Sequence, residues 1–351
     1  MTADLREKLA AQIAQTGPLT VAQYMTACLH DPQFGYYATR PALGEAGDFV
    51  TAPLVSQMFG ELIGVWAASA WRLLGEPERF VLVEIGPGDG TLMSDLLRAA
   101  QVLPGFLDAA DVWLVETSEP LAALQRERLG ETVSWARSLD EVPGGEPMLL
   151  VANELLDCLP ARQFVRTAAG WAEQVVGLGP DGGLAFGLVP AAADLPDARD
   201  GSICEISAPQ EALGAALGER LVRDGGAALL IDYGRDRPGF GDTLQALRRH
   251  EKVDPLASPG EADLTVHADF PAVMAAAERA GAASAILTQA GFLARMGVGE
   301  RAEALVRARP GKAPVIGRQL HRLVGGDQMG ELFKACCLFS PDWTPPAFEE
   351  D

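Results

Sequence analysis

The segment Val81–Thr91, VLVEIGPGDGT, constrains the fold more than any other part of the chain. Its apolar residues around Glu84 are typical of a buried strand, and glycines follow at every second position, at Gly86, Gly88 and Gly90. Glycine adopts positive φ angles without steric cost and lets another group approach the backbone closely. A strand that leads through such a loop into a helix is typical of a sheet that binds a ligand at its carboxyl edge.

Short apolar strands alternate with helical segments from residue 80 onward, which predicts an α/β fold with a mostly parallel central sheet and helices on both faces. Residues 162–190 break this alternation and predict an antiparallel β insertion with a PDGG turn. We therefore divide the chain into N-terminal helices and a loop at 1–75, a core at 76–161 and 200–351, and a β-rich insertion at 162–199.

The N-terminal part predicts an amphipathic helix over residues 4–15 and a second helix capped by Thr20. A long loop rich in glycine and proline follows, and after Pro53 a helix is expected to run to about Leu74. Residues 236–262 show no periodicity and are predicted to be irregular.

The charge balance limits the class of partner. The chain has 351 residues, with 28 Lys and Arg against 48 Asp and Glu, and a formal net charge of −20. Nucleic-acid-binding proteins cluster cationic side chains against phosphates, so this balance argues against a nucleic-acid partner. An acidic surface favours a basic partner, such as an arginine-rich peptide, although it also serves solubility.

Cysteine usage and hydropathy bear on the compartment. Five cysteines without a CxxC spacing indicate neither a disulfide framework nor a zinc site, and we expect no metal. The N-terminus carries acids and lacks the apolar run of a signal peptide, and no apolar stretch is long enough for a membrane span. These features predict a cytoplasmic location.

The glycine loop also indicates the class of cofactor. Its GxGxG spacing differs from the GxGxxG fingerprint of dinucleotide-binding proteins. Glu84 stands two residues before the first glycine and Glu116 ends the next strand, where a carboxylate can accept hydrogen bonds from ribose hydroxyls. Acids suit the ammonium and the positive sulfur of S-adenosylmethionine, whereas they would repel a pyrophosphate. The pattern favours S-adenosylmethionine, with a nucleotide site or a purely structural turn as alternatives.

Seven blocks of sequence closely resemble, in this order, the MidA-like family of class I S-adenosylmethionine-dependent methyltransferases: GDFVTAPLVSQMFGELIG, LVEIGPGDGTL, LVETSEPL, ANELLDCLPARQF, IDYG, ADLTVHADF and LTQAGFL. The resemblance extends from about residue 8 to 340. It implies a Rossmann-like fold with an N-terminal helical lid, S-adenosylmethionine as cofactor and S-adenosylhomocysteine as product. Mitochondrial members of the family assist assembly of respiratory complex I and are associated with arginine methylation of its 49 kDa subunit.

The chain departs from the family pattern at two positions. Leu54 stands where an acid commonly follows the proline of the TAP block, and Asp89 stands where a basic residue is common in the glycine loop. Neither change touches the glycines. They bear on the choice of substrate more than on the choice of cofactor.

Pattern and resemblance together assign a cofactor-binding set. The resemblance implies that the N-terminal loop and the start of the next helix cover the cofactor, and the strand ends supply the remaining contacts. The predicted cofactor-binding residues are Gly47, Asp48, Phe49, Gln57, Glu84, Gly86, Gly88, Gly90, Thr91, Glu116, Thr117, Ser118 and Asn153. Ser118 is equally suited to capping the helix that follows it.

The block ANELLD carries the predicted chemistry. Methyl transfer to a guanidinium needs a carboxylate that orients the nitrogen and takes up its proton. We expect Glu154 and Asp157 to fill these roles, with His267 as a further candidate base. The alternative is that both acids only cap the following turn, and that the histidine is structural.

The leading hypothesis is a protein arginine methyltransferase that acts on a subunit of respiratory complex I. One alternative is a non-catalytic assembly factor that binds S-adenosylmethionine, and another is a small-molecule methyltransferase. An NAD-dependent dehydrogenase is disfavoured by the glycine spacing. The segment QFVRTAAGWAEQVV could offer a sheet edge for a homodimer.

Overall fold

The computed structural model describes residues 4–39 and 51–349. The chain divides into two compact units. Unit 1 takes residues 1–49, 156–211 and 237–269, and unit 2 takes residues 50–155, 212–236 and 270–351. The sequence-based division into 1–75, 76–161 with 200–351, and 162–199 differs from these units and stays a prediction.

Unit 2 contains the central sheet. Its strands are β2 (Phe80–Ile85), β3 (Ala110–Val115), β4 (Ser134–Ala136), β5 (Met148–Asn153), β10 (Gly226–Arg235), β15 (Ala283–Thr288) and β16 (Phe333–Phe339). They lie in the order β15-β16-β10-β5-β2-β3-β4. The pairs from β10 to β4 are parallel, and β16 runs antiparallel between β10 and β15. The mostly parallel sheet predicted from the sequence is confirmed.

Helices occupy most of the remaining length of unit 2. Their bounds are α4 (Ala52–Val55), α5 (Gln57–Leu73), α6 (Thr91–Ala100), α7 (Phe106–Ala109), α8 (Glu119–Leu129), α10 (Phe270–Arg279), α11 (Gln289–Arg295), α12 (Val298–Ala308), α13 (Ala313–Val324) and α14 (Met329–Leu332). A further helix, α9 (Ala208–Asp224), passes along the chain from unit 1 into unit 2. The core of unit 2 is apolar, and Leu82, Leu149 and Leu229 on three neighbouring strands are fully buried.

The helix predicted from Pro53 to about Leu74 is interrupted, so that prediction is wrong at one residue. Ser56 has extended backbone angles, φ −163° and ψ 138°, and separates α4 from α5. Its hydroxyl oxygen accepts the backbone N–H of Met58 at 3.3 Å. The serine thus caps α5, because its side chain satisfies a donor that has no partner within the helix.

Unit 1 combines short helices with antiparallel strands. The helices are α1 (Leu5–Thr16), α2 (Val21–His30) and α3 (Tyr36–Thr39). The strands are β1 (Leu19–Thr20), β6 (Arg162–Thr167), β7 (Gly170–Leu178), β8 (Leu184–Pro190), β9 (Ile203–Ile206), β11 (Gln245–Arg248), β12 (Glu251–Val253), β13 (Asp263–Thr265) and β14 (Ala268–Asp269). The predicted cap at Thr20 is present, because Thr20 forms a capping box with Gln23. The structure adds a cap at Asp4, whose side chain accepts the N–H of Glu7.

The antiparallel insertion is confirmed, but two expectations about unit 1 are wrong. Residues 236–262 are not wholly irregular, because β11 and β12 form a hairpin through Arg249 and His250, both at positive φ. The segment 163–176 is not a sheet edge, because β6 lies between β7 and β9, and β7 also pairs with β8. Paired strands leave no open row of backbone groups, so this segment gives no support for a homodimer.

Candidate active site

The glycine loop between β2 and α6 has the conformation that its sequence requires. Gly86, Gly88 and Gly90 have φ angles of 67°, 57° and 80°. An added Cβ at Gly86 would lie 3.2 Å from Cδ1 of Leu155. The N–H of Thr91, the first residue of α6, donates to Oδ1 of Asp89 at 3.0 Å. A side chain in this loop would therefore be strained by the backbone and, at Gly86, by a close neighbour.

Glu84 is buried within β2, with 2% of its surface exposed. Burial, followed by the negative charge of Asp89, raises the pKa of its carboxyl from 4.5 to about 8, although the backbone N–H of Met93 lowers it. Among the residues that the structure describes, none offers a hydrogen bond to Oε2 of Glu84. A buried carboxyl oxygen without a donor is costly and calls for a ligand that supplies one.

Asn153 ends β5 on the same face of the sheet as Glu84. The register pairs Glu84 with Val151, and side chains two residues apart on a strand share a face. The amide nitrogen of Asn153 donates to Oε1 of Glu154 at 2.9 Å. Its Oδ1 is buried and has no donor within the described part of the chain. Two neighbouring parallel strands thus place two buried oxygen acceptors on one face.

Glu154 is held in an uncommon backbone conformation directly after β5. Its φ is 53°, which is rare for a residue other than glycine, and its N–H donates to the carbonyl of Ile231 at 2.8 Å. Its Oε1 accepts the N–H of Ala52 at 3.1 Å and the amide of Asn153. The carboxylate therefore anchors the start of α4 and orients Asn153. Strained backbone of this kind is concentrated at functional sites.

Glu116 follows β3 and is engaged by donors from its own unit. Its Oε1 accepts the N–H of Ser118 at 2.7 Å, and its Oε2 accepts Nε2 of Gln125 at 3.1 Å. Burial raises the pKa of this carboxyl, while the N–H groups of Ser118 and Thr117 and the amide of Gln125 act against that rise. A carboxylate has about four lone-pair positions, so these donors leave room for a further partner.

Gln125 is a site residue that the sequence analysis missed. It is fully buried on α8, and it bonds to Glu116, to the carbonyl of Gly88 and to Trp135. One signal was present in the sequence: Gln125 stands among Leu121 and Ala122 on the buried face of the helix. A polar residue in an apolar stripe has to find partners inside the protein.

The two departures from the family pattern have simple structural settings. Oδ2 of Asp89 lies 2.9 Å from Nη2 of Arg128, so the acid in the glycine loop has a cationic neighbour. Leu54 is half-buried within the short helix α4.

Gln57 begins α5 with an exposed side chain, and its amide donates to Oε1 of Glu61 at 3.0 Å. Its role toward the cofactor stays a prediction, and Gly47, Asp48 and Phe49 lie outside the described residues.

Asp157 and His267 belong to unit 1. Asp157 is buried, and its backbone carbonyl accepts the N–H of Val266 at 2.9 Å. His267 is the residue that follows Val266 in the chain. The backbone N–H of His267 donates to Oγ1 of Thr243 at 2.8 Å. Their catalytic roles stay predictions.

Within residues 4–39 and 51–349, no group of three or more His, Cys, Asp or Glu side chains is arranged to hold a metal ion. No helix in the same ranges combines the length and the apolar character that crossing a bilayer requires.

Known proteins resemble this chain over most of its length. A family model for S-adenosyl-L-methionine-dependent methyltransferases matches residues 62–288. The human mitochondrial protein arginine methyltransferase NDUFAF7 is 35% identical over 362 residues, covering 93% of this chain and 81% of the human protein. Its mitochondrial homolog from Drosophila melanogaster is 36% identical over 377 residues, covering 95% and 84%.

A solved structure shares the fold. A superfamily member from Burkholderia thailandensis, bound to S-adenosyl-homocysteine, has a TM-score of 0.87 and 29% sequence identity. The match covers 99% of this chain and 94% of that chain.

The predicted cytoplasmic location is wrong by these comparisons, because the curated relatives are named as mitochondrial proteins. The prediction relied on cysteine usage and on the residue types of the N-terminal segment. These features do not distinguish one reducing compartment from another.

Proposed function

Because the chain belongs to the family of S-adenosylmethionine-dependent methyltransferases, we propose that it methylates an arginine side chain of a protein substrate. One observation carries the proposal: about a third of the residues are identical to those of relatives named as protein arginine methyltransferases, in alignments that cover more than nine-tenths of this chain. Family membership also confirms the predicted class I-like fold, the enzyme class and the cofactor.

The residues of unit 2 fit this cofactor. Oε2 of Glu84 and Oδ1 of Asn153 are buried acceptors on one sheet face, with no donor among the described residues. The cofactor's amino group is a donor of the required kind, so we propose that these two oxygens bind it. An adjacent ammonium would also lower the pKa of Glu84 and favour its ionised form.

We propose that Glu116 accepts the ribose hydroxyls, and that the glycine loop lets the methionine end approach the backbone. When bound, S-adenosylmethionine supplies a methyl group carried on a positively charged sulfur. The protein has to orient a guanidinium nitrogen and accept the proton that this nitrogen releases. We assign this work to carboxylates at Glu154 and Asp157, each as a separate proposal, with His267 as a further candidate base.

The finer identity of the substrate rests on the family resemblance. We propose that the acceptor arginine lies on a complex I subunit of the 49 kDa type, and that methylation supports assembly of the complex. The experiment incubates the protein with methyl-labelled S-adenosylmethionine and that purified subunit, alongside the same subunit with each candidate arginine replaced by lysine. Label in an arginine of the unchanged subunit supports the proposal. Binding of S-adenosylhomocysteine with no transfer to any protein would favour the non-catalytic alternative.

A substitution tests the catalytic assignment. We expect Glu154→Gln to lower the rate of methyl transfer by about 100-fold or more, the usual contribution of a positioned acid or base. Its affinity for S-adenosylhomocysteine should change by no more than about threefold, because the amide oxygen can still accept a hydrogen bond. Glu127→Gln is the matched control, since Glu127 is exposed on α8. Full transfer activity in Glu154→Gln would refute the catalytic role.

A further inference from the structure

Gln125 connects two parts of the proposed cofactor site that are far apart in sequence. Its Nε2 donates to the carbonyl oxygen of Gly88 at 2.7 Å and to Oε2 of Glu116 at 3.1 Å. Its Oε1 accepts Nε1–H of Trp135 at 3.0 Å. The side chain is fully buried, so water does not compete for these bonds.

The partners fix which way the amide of Gln125 faces. An indole nitrogen can only donate, so the atom that faces Trp135 must be the amide oxygen. The two amide hydrogens then point toward Gly88 and Glu116. The carbonyl oxygen of Gly88 is only an acceptor, and the Glu116 carboxylate is also only an acceptor when it is ionised. If the amide were flipped, its NH₂ group would face the N–H of Trp135, and its oxygen would face the oxygens of Gly88 and Glu116. The observed orientation is therefore the one that satisfies all three neighbours.

We propose that Gln125 is a positioning residue for cofactor binding. It holds the Glu116 carboxylate and the glycine loop in fixed positions relative to each other. It has no need to touch the cofactor itself. The Gln125 amide donates to Oε2 of Glu116, and the N–H groups of Ser118 and Thr117 also donate to this carboxylate. The lone-pair capacity that remains is left for the ribose. The inference rests on the proposed role of Glu116.

The test measures binding of S-adenosylhomocysteine by calorimetry in the full-length protein. Gln125→Met keeps the length of the side chain and removes both donors. We expect it to weaken binding by about 10- to 100-fold, the scale of a lost hydrogen bond to a charged group. Gln12→Met is the matched control, because Gln12 is exposed on α1. Thermal unfolding of each variant checks that it is folded.

Two further variants separate positioning from a merely structural role. In a Glu116→Gln background, Gln125→Met should weaken binding by less than about threefold, because the two residues act as one unit. Gln125→Glu places a second carboxyl beside Glu116, so this variant should bind S-adenosylhomocysteine weakly at pH 8. Its affinity should recover as the pH is lowered to 6, because one of the two carboxyls gains a proton. Wild type should not show this recovery.

The outcomes are distinct. If Gln125→Met lowered the affinity for S-adenosylhomocysteine equally in the wild-type and Glu116→Gln backgrounds, the proposal would be overturned and a packing role would remain. An unchanged affinity in Gln125→Met would also overturn the proposal. If Glu116→Gln alone left the affinity unchanged, the assigned cofactor site itself would fail, whatever Gln125 does.

Discussion

At the scale of single residues, the fold changes the protonation of Glu84 near neutral pH. The side chain is buried in the first parallel strand, and its pKa is raised to about 8. In the unfolded chain the same group has a value near 4.5. Between these two values the folded protein holds a proton that the unfolded chain has released. The contribution of Glu84 to stability is thus present below about pH 4.5 and falls as the pH rises toward 8.

This linkage predicts the behaviour of Glu84→Gln without bound cofactor. The variant has no carboxyl to ionise, so it should lose less stability than wild type between pH 5 and pH 8. The melting temperature of the variant relative to wild type should therefore be higher at pH 8 than at pH 5. Thermal unfolding at both pH values measures this. Glu78→Gln is the control, because Glu78 is exposed just before β2 and should show no such difference. A pH-independent offset in Glu84→Gln would contradict the raised pKa.

At the scale of elements, α5 and α6 approach each other through glycines. A Cβ at Gly60 would lie 2.6 Å from Cβ of Asp95, and a Cβ at Gly64 would lie 2.6 Å from the carbonyl oxygen of Leu96. Both distances are shorter than real Cβ contacts. The glycine loop, which we propose binds the cofactor, leads directly into α6, so the packing of this helix pair would position the proposed site.

We expect Gly64→Ala to lower the free energy of unfolding by about 1–3 kcal/mol, the usual cost of overpacking. The gain in helix propensity, about 1 kcal/mol, offsets part of this cost. Denaturation by urea measures the difference. Gly317→Ala is the matched control, because Gly317 lies within α13, where an added Cβ would meet none of the described residues packed around it within 4 Å. The control should be stabilised by up to about 1 kcal/mol. Equal effects at both positions would contradict the close helix contact.

At the scale of the whole molecule, the net charge of −20 favours a basic substrate. Long-range attraction between opposite charges raises the association rate and is screened by salt. We expect the association rate of an arginine-rich substrate peptide to fall at least about tenfold between 50 and 500 mM NaCl. Stopped-flow fluorescence with a labelled peptide measures this rate. An uncharged peptide of equal length, with glutamine in place of arginine, should show little salt dependence. A salt-independent rate for the arginine peptide would exclude electrostatic steering.

Local features of the sequence predicted much of the fold and part of the site. The glycines of the loop adopt positive φ, as their spacing indicated, and Glu84 and Asn153 lie at neighbouring strand ends. The cap at Thr20 was also predicted, because a cap depends on residues within one helical turn. The break between α4 and α5 at Ser56 was missed, since an apolar pattern continues across it and the break depends on backbone angles.

The sequence by itself determined the α/β alternation, the glycine loop, the acids that follow the strands, and the likeness to a methyltransferase family. These properties are local, because periodicity and turn preference are set by residues near one another in the chain. Only the tertiary structure decided that β16 is inserted antiparallel between β10 and β15, and that Gln125 joins Gly88, Glu116 and Trp135. Such contacts join residues distant in sequence, and they form only where packing surrounds a buried polar group with a complete set of hydrogen-bond partners.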